Sequence, residues 1–202
     1  QISLDGMRET HDCFRKPGSF DCTLEKIGCI KNAGMRAVIM TTVSGANIRE
    51  IPAVIDTVVA YGADVFAFAR YCPTSREKDT GIAPQDYREV LRVCDRKFRE
   101  YEAAGCNTWF SKKDHLWTLY EYETGPFRIP ADAQEGMIYG GCSCGNCHLT
   151  ILPTGELYAC RRVRESLVGN VLEDRIADVW LGRMGCYREY TRFEKCAQCE
   201  LL

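Results

Sequence analysis

Arg36-Ala-Val-Ile-Met-Thr-Thr-Val43 decides the fold. Its β-branched residues and apolar content predict a strand. Immediately after it the pattern changes to a helical one. Asn47 is of capping type, and Ile48, Ile51, Val54, Ile55, Val58 and Val59 then recur on one stripe that ends at Gly62. Asp64–Arg70 reads as a further strand, and a long polar loop, Tyr71–Ala83, follows it. Pro84 then sits at the first position of a helix whose Tyr87, Val90, Leu91, Cys94, Phe98 and Tyr101 keep the helical period up to Gly105. Upstream, Gln1–Leu4 is a short strand closed by a tight turn at Asp5-Gly6. Thr23 is expected to cap a helix carrying Leu24, Ile27 and Ile30 on one face, with Gly34 at its end. Strand–helix alternation at this spacing means right-handed crossovers and a parallel sheet. About three such units are visible, short of the eight that close a barrel. The expected fold class is therefore α/β, a partial (β/α) TIM-like barrel segment. Ligands in such sheets bind at the carboxyl ends of the strands, which places Ser3–Gly6, Thr42–Asn47 and Arg70–Ser75 on the predicted rim.

The chain has 202 residues, a formal net charge of -2 and 46% hydrophobic content, enough for a real core in one large domain or one medium and one small one. That charge balance gives no electrostatic reason to expect nucleic acid or a membrane surface as partner. No apolar run reaches the roughly 20 residues of a membrane span, and no signal-peptide pattern opens the sequence. Gln1 begins directly in a strand, so a preceding segment is expected in the natural protein.

Thirteen cysteines form an odd set in a chain with a large α/β core, which argues against a disulfide framework and for thiols in a reducing, cytoplasmic setting. Cys13, Cys22, Cys29, Cys72, Cys94 and Cys106 are scattered and are expected to pack as small hydrophobes. Cys142, Cys144, Cys147, Cys160, Cys196 and Cys199 crowd the last third, four of them in two C-x-x-C pairs. Between them, Pro153-Thr154-Gly155 joins two apolar alternations and predicts a hairpin that returns Cys160 beside Cys144 and Cys147. Gly169-Asn170-Val171 reads as another turn, and Ile176–Leu181 as a short helix closed by Gly182. Cys196-Ala-Gln-Cys199 lies three residues from Leu202 and looks like half a motif, so a continuation is expected there too. Spacing leaves two metals open. Two C-x-x-C pairs suit tetrahedral zinc, and thiolates equally hold iron–sulfur clusters.

Sequence around those cysteines adds a resemblance. Gln1–Arg15, with its S-L-D-G followed by H-D-x-x-R, looks like the mid-barrel stretch of radical S-adenosylmethionine peptide-modifying enzymes. Gly155-Glu-Leu-Tyr-Ala-Cys160 and Cys196-Ala-Gln-Cys199 resemble the G-x-x-x-x-C and C-x-x-C of the SPASM domain that follows that barrel. Lys113–Trp117 and Cys160–Val163 add a likeness to maturases of ribosomally made peptides. The resemblance implies residues 1–125 as the later part of a radical SAM barrel with a linker helix, and 126–202 as the first part of a small cysteine-rich SPASM/twitch-like domain.

It further implies S-adenosyl-L-methionine and 4Fe-4S clusters as cofactors. Ser3 would bond the ribose and Arg15 the carboxylate of S-adenosylmethionine, a task that suits a guanidinium fork. Cys144 and Cys160, with Cys147 or Cys142, would bind a first auxiliary cluster, and Cys196 and Cys199 a second. The cluster that reduces S-adenosylmethionine needs a C-x-x-x-C-x-x-C loop, and that spacing is absent from these 202 residues, so this stretch alone is expected to be inactive. Sulfatase-maturing relatives place a catalytic Asp just after the hairpin cysteine, where this sequence has Arg161. Arginine is not a general base. The implied reaction is oxidative modification of a precursor peptide, forming a thioether or similar cross-link with electrons from a reductant protein. Formylglycine formation and a non-catalytic zinc-ribbon α/β binding protein are the alternatives.

Overall fold

Residues 38–43 do form a strand, and its neighbours line up parallel to it. The chain is described by a computed structural model over residues 1–73, 81–125, 127, 132 and 144–189, and it divides into two units, Gln1–Arg128 and Ile129–Leu202.

In the first unit the elements run β1 (Ile2–Ser3), α1 (Arg8–Phe14), α2 (Ser19–Asn32), β2 (Val38–Val43), α3 (Ile51–Ala60), β3 (Val65–Arg70), α4 (Pro84–Ala103), β4 (Trp109–Ser111) and α5 (Leu116–Thr124). The sheet has the order β1-β2-β3-β4, parallel throughout. Period-two alternation puts Ile39, Thr41 and Val43 under the helices, and Val38 and Met40 on the opposite face. The helix side is the core. Ile39, Phe66 and Phe68 are fully buried against Ile51, Val54, Ile55 and Val58 of α3, each contributing about 1.5–3 kcal/mol relative to exposure. α4 and β4 meet through Phe98 and Phe110, stacked at 4.4 Å. The other face is open: Trp109 is 62% exposed on it, beside a hollow of about 300 Å³ lined by Gln1, Val38, Met40 and Trp109.

Several elements differ from the sequence expectation. β4 and α1 are additional. α2 begins at Ser19 rather than at Thr23, because Asp12, on α1, accepts the N–H groups of Gly18 at 2.7 Å and Phe20 at 2.8 Å. The cap comes from the preceding helix, so Thr23 has no capping role. Asn47 precedes a short 3-10 turn, Ile48–Glu50, and its side chain caps nothing. Of the six scattered cysteines only Cys94 is buried, whereas Cys13, Cys22, Cys29 and Cys72 are exposed. The expectation that these pack as hydrophobes is thus corrected. On α2 the buried stripe is Phe20, Leu24 and Ile27, which turns Cys22 and Cys29 outward.

The second unit is an antiparallel sheet, β5 (Thr150–Ile151), β6 (Glu156–Tyr158) and β7 (Leu167–Asn170), followed by α6 (Ile176–Leu181) and a 3-10 turn, Arg183–Tyr187. The turn at Pro153-Thr154-Gly155 joins β5 to β6, with Gly155 at φ +90°. Its core is small: Leu157, Ala159, Val168, Val179 and Met184. Gly169-Asn170, read from sequence as a turn, lies in β7 and pairs with β6. A side chain at Gly169 would meet Asp174 Oδ2 at 2.6 Å and Arg183 Nη1 at 2.9 Å. The glycine is there for close approach, and the sequence alone does not distinguish that from turning.

Candidate functional site

Two loops meet at the carboxyl ends of β1 and β2. Asp5 follows β1 and is buried. Its Oδ1 accepts the Thr42 N–H at 2.8 Å, and its Oδ2 accepts from Arg15 Nε at 3.0 Å and from Nη2. Asp5 N–H donates to His11 Nδ1 at 2.9 Å, so the proton of neutral His11 sits on Nε2. Burial lowers the His11 pKa below the ordinary value, and the nearby charge of Arg15 adds to this. Asn47, fully buried, donates from Nδ2 to the carbonyls of Asp5 at 2.9 Å and Thr42 at 2.8 Å, and its Oδ1 accepts the Ser44 N–H at 2.8 Å. Glu50 accepts from Met7 N–H at 2.7 Å and Thr10 Oγ1 at 2.6 Å. At Gly6, φ is +140° and a Cβ would meet Glu50 Oε2 at 2.7 Å. That φ and that contact are why Asp5 is followed by glycine.

These contacts frame a cavity of about 590 Å³, lined by Asp5, Phe14, Arg15, Thr42, Ser44 and Tyr71 among others. Arg15 spends Nε and Nη2 on Asp5, and its Nη1 makes no hydrogen bond among the described residues. A guanidinium oriented by a buried carboxylate, with a donor left over at a cavity wall, suits an anionic group such as an amino-acid carboxylate. Ser3, the other residue expected at this cofactor, lies on β1 paired with Met40 of β2 and is not among the residues lining the cavity. Asp5 and Asn47 fall on the rim predicted from sequence but were given no role of their own there, and His11 was not singled out. Asp5-Gly6 has the composition of a turn and Asn47 that of a cap, and only the fold shows their longer-range partners.

In the second unit, the Cys144–His148 turn faces the open end of the β5–β6 hairpin. Cys144 Sγ lies 2.9 Å from the Ala159 carbonyl, the residue before Cys160. Cys144 and Cys160 are partly buried and Cys147 is exposed. Ser166, itself buried, fixes the Cys160 backbone, with Oγ accepting the Cys160 N–H at 3.0 Å and donating to the Val163 carbonyl at 2.6 Å. Arg161 stands exposed in the loop after Cys160. Cys142, Cys196 and Cys199 lie outside the described residues. Among the described residues no group of three or more His, Cys, Asp or Glu is placed to hold a metal ion. Cys144 thus reaches the carbonyl next to Cys160, and thiols of this kind have the chemistry of iron–sulfur ligands. Among the described residues no helix is long and apolar enough to cross a membrane.

A parallel sheet with a cavity at its carboxyl edge, joined to a cysteine-bearing antiparallel hairpin, is the architecture of radical SAM proteins with an auxiliary-cluster domain. Residues 142–200 match SPASM, an iron–sulfur cluster-binding domain. By these matches the chain is similar to proteins with a SPASM domain, with maturases and AdoMet-dependent enzymes among its relatives. Across its whole length it shares its fold with SuiB of Streptococcus suis, solved bound to the precursor peptide SuiA, at TM-score 0.74, 20% identity and 46% of that chain. The AdoMet-dependent heme synthase of Methanosarcina barkeri is 26% identical over 183 residues, 89% of this chain and 52% of the relative. Mycofactocin maturase MftC of Mycolicibacterium smegmatis is 27% identical over 188 residues, 89% of this chain and 44% of the relative. The chain spans about half the length of the curated relatives it matches.

Proposed function

We propose that this chain is part of a radical SAM enzyme that oxidatively modifies a ribosomally synthesised peptide, forming a thioether or similar cross-link. The observation that carries the reading is the cavity at the strand ends, with Arg15 held on Asp5, in a chain that also bears a SPASM domain. In this reading S-adenosylmethionine supplies the hydrogen-abstracting radical, and 4Fe-4S auxiliary clusters accept the electron left over. Arg15 binds the cofactor's carboxylate through Nη1 while Asp5 holds the guanidinium in place; Ser3, which does not line this cavity, is given no part in the reading. Asn47 keeps the Thr42–Asn47 loop against Asp5, so the cavity wall is set before ligand arrives. Cys144 and Cys160, with Cys147 or Cys142, hold the first auxiliary cluster, and Cys196 and Cys199 belong to the second. Arg161 offers no base beside Cys160, which favours bond formation over aldehyde formation.

The experiment uses the full-length protein, its reductant and its precursor peptide, incubated without oxygen with S-adenosylmethionine. It should yield 5′-deoxyadenosine and a peptide lighter by two hydrogens per cross-link. A peptide of unchanged mass beside vigorous cofactor cleavage would remove the peptide reading. The similarity to AdoMet-dependent heme synthases favours a second substrate, a porphyrin. Porphyrin turnover with no peptide change would select it.

A further inference from the structure

The loop that follows Cys160 is braced from within. Ser166, buried at its end, takes up the loop's backbone: Oγ accepts the Cys160 N–H at 3.0 Å and donates to the Val163 carbonyl at 2.6 Å. The Ser166 N–H donates to that same carbonyl at 3.1 Å, and the Val163 N–H to the Cys160 carbonyl at 3.1 Å. Ala159 N–H donates to the Ser166 carbonyl at 2.9 Å and closes the loop at its base. With these polar groups turned inward, Arg161, Arg162, Val163, Arg164 and Glu165 are all exposed. Two apolar side chains stand out with the charges, Val163 at 46% and Leu167, the first residue of β7, at 53% exposure. The charge is uncompensated. Elsewhere in the second unit Arg183 pairs with Asp174, Arg175 with Asp178, and Arg188 bonds the Gly145 and Trp180 carbonyls. Arg161 and Arg164 make no ion pair or hydrogen bond among the described residues, and Glu165 is the one carboxylate in the loop.

We propose that the Cys160–Ser166 loop binds an acidic segment of the precursor peptide, Arg161 and Arg164 each taking a carboxylate while Val163 and Leu167 cover an apolar residue beside them. The inference rests on the reading of the substrate as a peptide. Guanidinium forks select carboxylates, and a backbone braced before binding lowers the ordering cost of holding them. Side chains, not a strand edge, do the recognising. Next to the loop on β7, the Val168 carbonyl already accepts from Arg183 at 3.0 Å and the Asn170 N–H donates to Asp174 at 2.9 Å, so those groups are not open to an added strand.

The test uses the full-length holoprotein, its precursor peptide, and a copy of that peptide with every aspartate and glutamate replaced by its amide. Affinity is read from the anisotropy of labelled peptide at low salt and at about 0.3 M salt, where exposed charges are screened. Arg161→Gln/Arg164→Gln should raise Kd about tenfold at low salt, the effect of losing two exposed charge pairs, with iron content unchanged. Wild type should bind the amide peptide as weakly as the double variant binds the original. Added salt should weaken the wild-type complex and leave the variant's nearly unmoved. Arg175→Gln, whose charge is already met by Asp178, should bind as wild type does. A double variant with wild-type affinity that still cross-links its peptide overturns the inference and leaves the peptide reading standing. So does a wild type that holds the amide peptide equally well, a result that needs no variant to fold. Slower electron exchange with the reductant protein at unchanged peptide affinity also overturns it, and gives the loop to that partner. A wild type that neither binds nor alters the precursor overturns both.

Discussion

His11 concentrates a good deal of the chemistry of the β1–α1 loop in one imidazole. Nδ1 must be unprotonated to accept the Asp5 N–H, and Asp5 in turn holds Arg15. Because the folded-state pKa lies below its ordinary value, the unfolded chain takes up this proton first as pH falls. The stability that the neutral ring contributes is therefore complete above about pH 6.5 and is lost below it. Thermal melts of wild type and His11→Asn should show this, since asparagine can accept through Oδ1 without titrating. Wild type should lose stability faster between pH 7 and 5, the difference approaching at most about 1.4 kcal/mol per pH unit, the limit for one proton. Parallel profiles would remove His11 from the acid response. Little of this was legible in the sequence. A lone histidine next to Asp12 names no acceptor, and Asn47 satisfies a local capping rule while its real partners, Asp5 and Thr42, are fixed only when two strands pair.

Elements with a long period were read correctly, and short ones were not. β2, β3, α3 and α4 each offer enough alternation or stripe to overrule local noise. β4 has three residues and α1 seven, too few for a period to show. β7 was mistaken because Gly169-Asn170 has turn composition, although Gly169 is small for the sake of Asp174 and Arg183. That pair bonds at 2.8 and 2.9 Å, and Arg183 also donates to the Val168 carbonyl at 3.0 Å. Gly169→Ala should push this clamp off β7 and cost about 1–3 kcal/mol, as overpacking does. Chemical denaturation of the second unit measures it. A variant as stable as wild type would mean that the clamp shifts freely. Gly155→Ala makes a useful comparison, because there the φ of +90° is strained whatever the space.

At the scale of the molecule, the two units differ in what holds them. The first has a continuous core that runs from Leu4 to Tyr120. The second rests on Leu157, Ala159, Val168, Val179 and Met184, and so small a core normally needs a staple. If the cysteines hold clusters, cluster binding is part of that unit's folding free energy. Stripping the iron with chelator and oxidant should then speed amide hydrogen exchange in β5, β6 and β7 by at least tenfold while β2 and β3 keep their protection. Equal protection with and without iron would show the small core to be self-sufficient. The class of fold was readable from strand spacing, whereas cysteine spacing left zinc and iron–sulfur open and only the resemblance around the cysteines pointed to the SPASM domain that residues 142–200 match. The ligand set was not readable, because which thiols converge depends on a hairpin register and a 3-10 turn that leave no mark in spacing. The open inner face of the sheet has an optical consequence. Of the three tryptophans, Trp117 is sealed at 2% exposure and Trp109 stands 62% exposed on that face. Iodide reaches Trp109 far more readily than Trp117, and Trp109 emits at the longer wavelength of a hydrated indole. Anything that comes to lie over that face dehydrates this ring, shifting its emission to the blue and shielding it from the quencher, so the chain carries its own fluorescent gauge of occupancy.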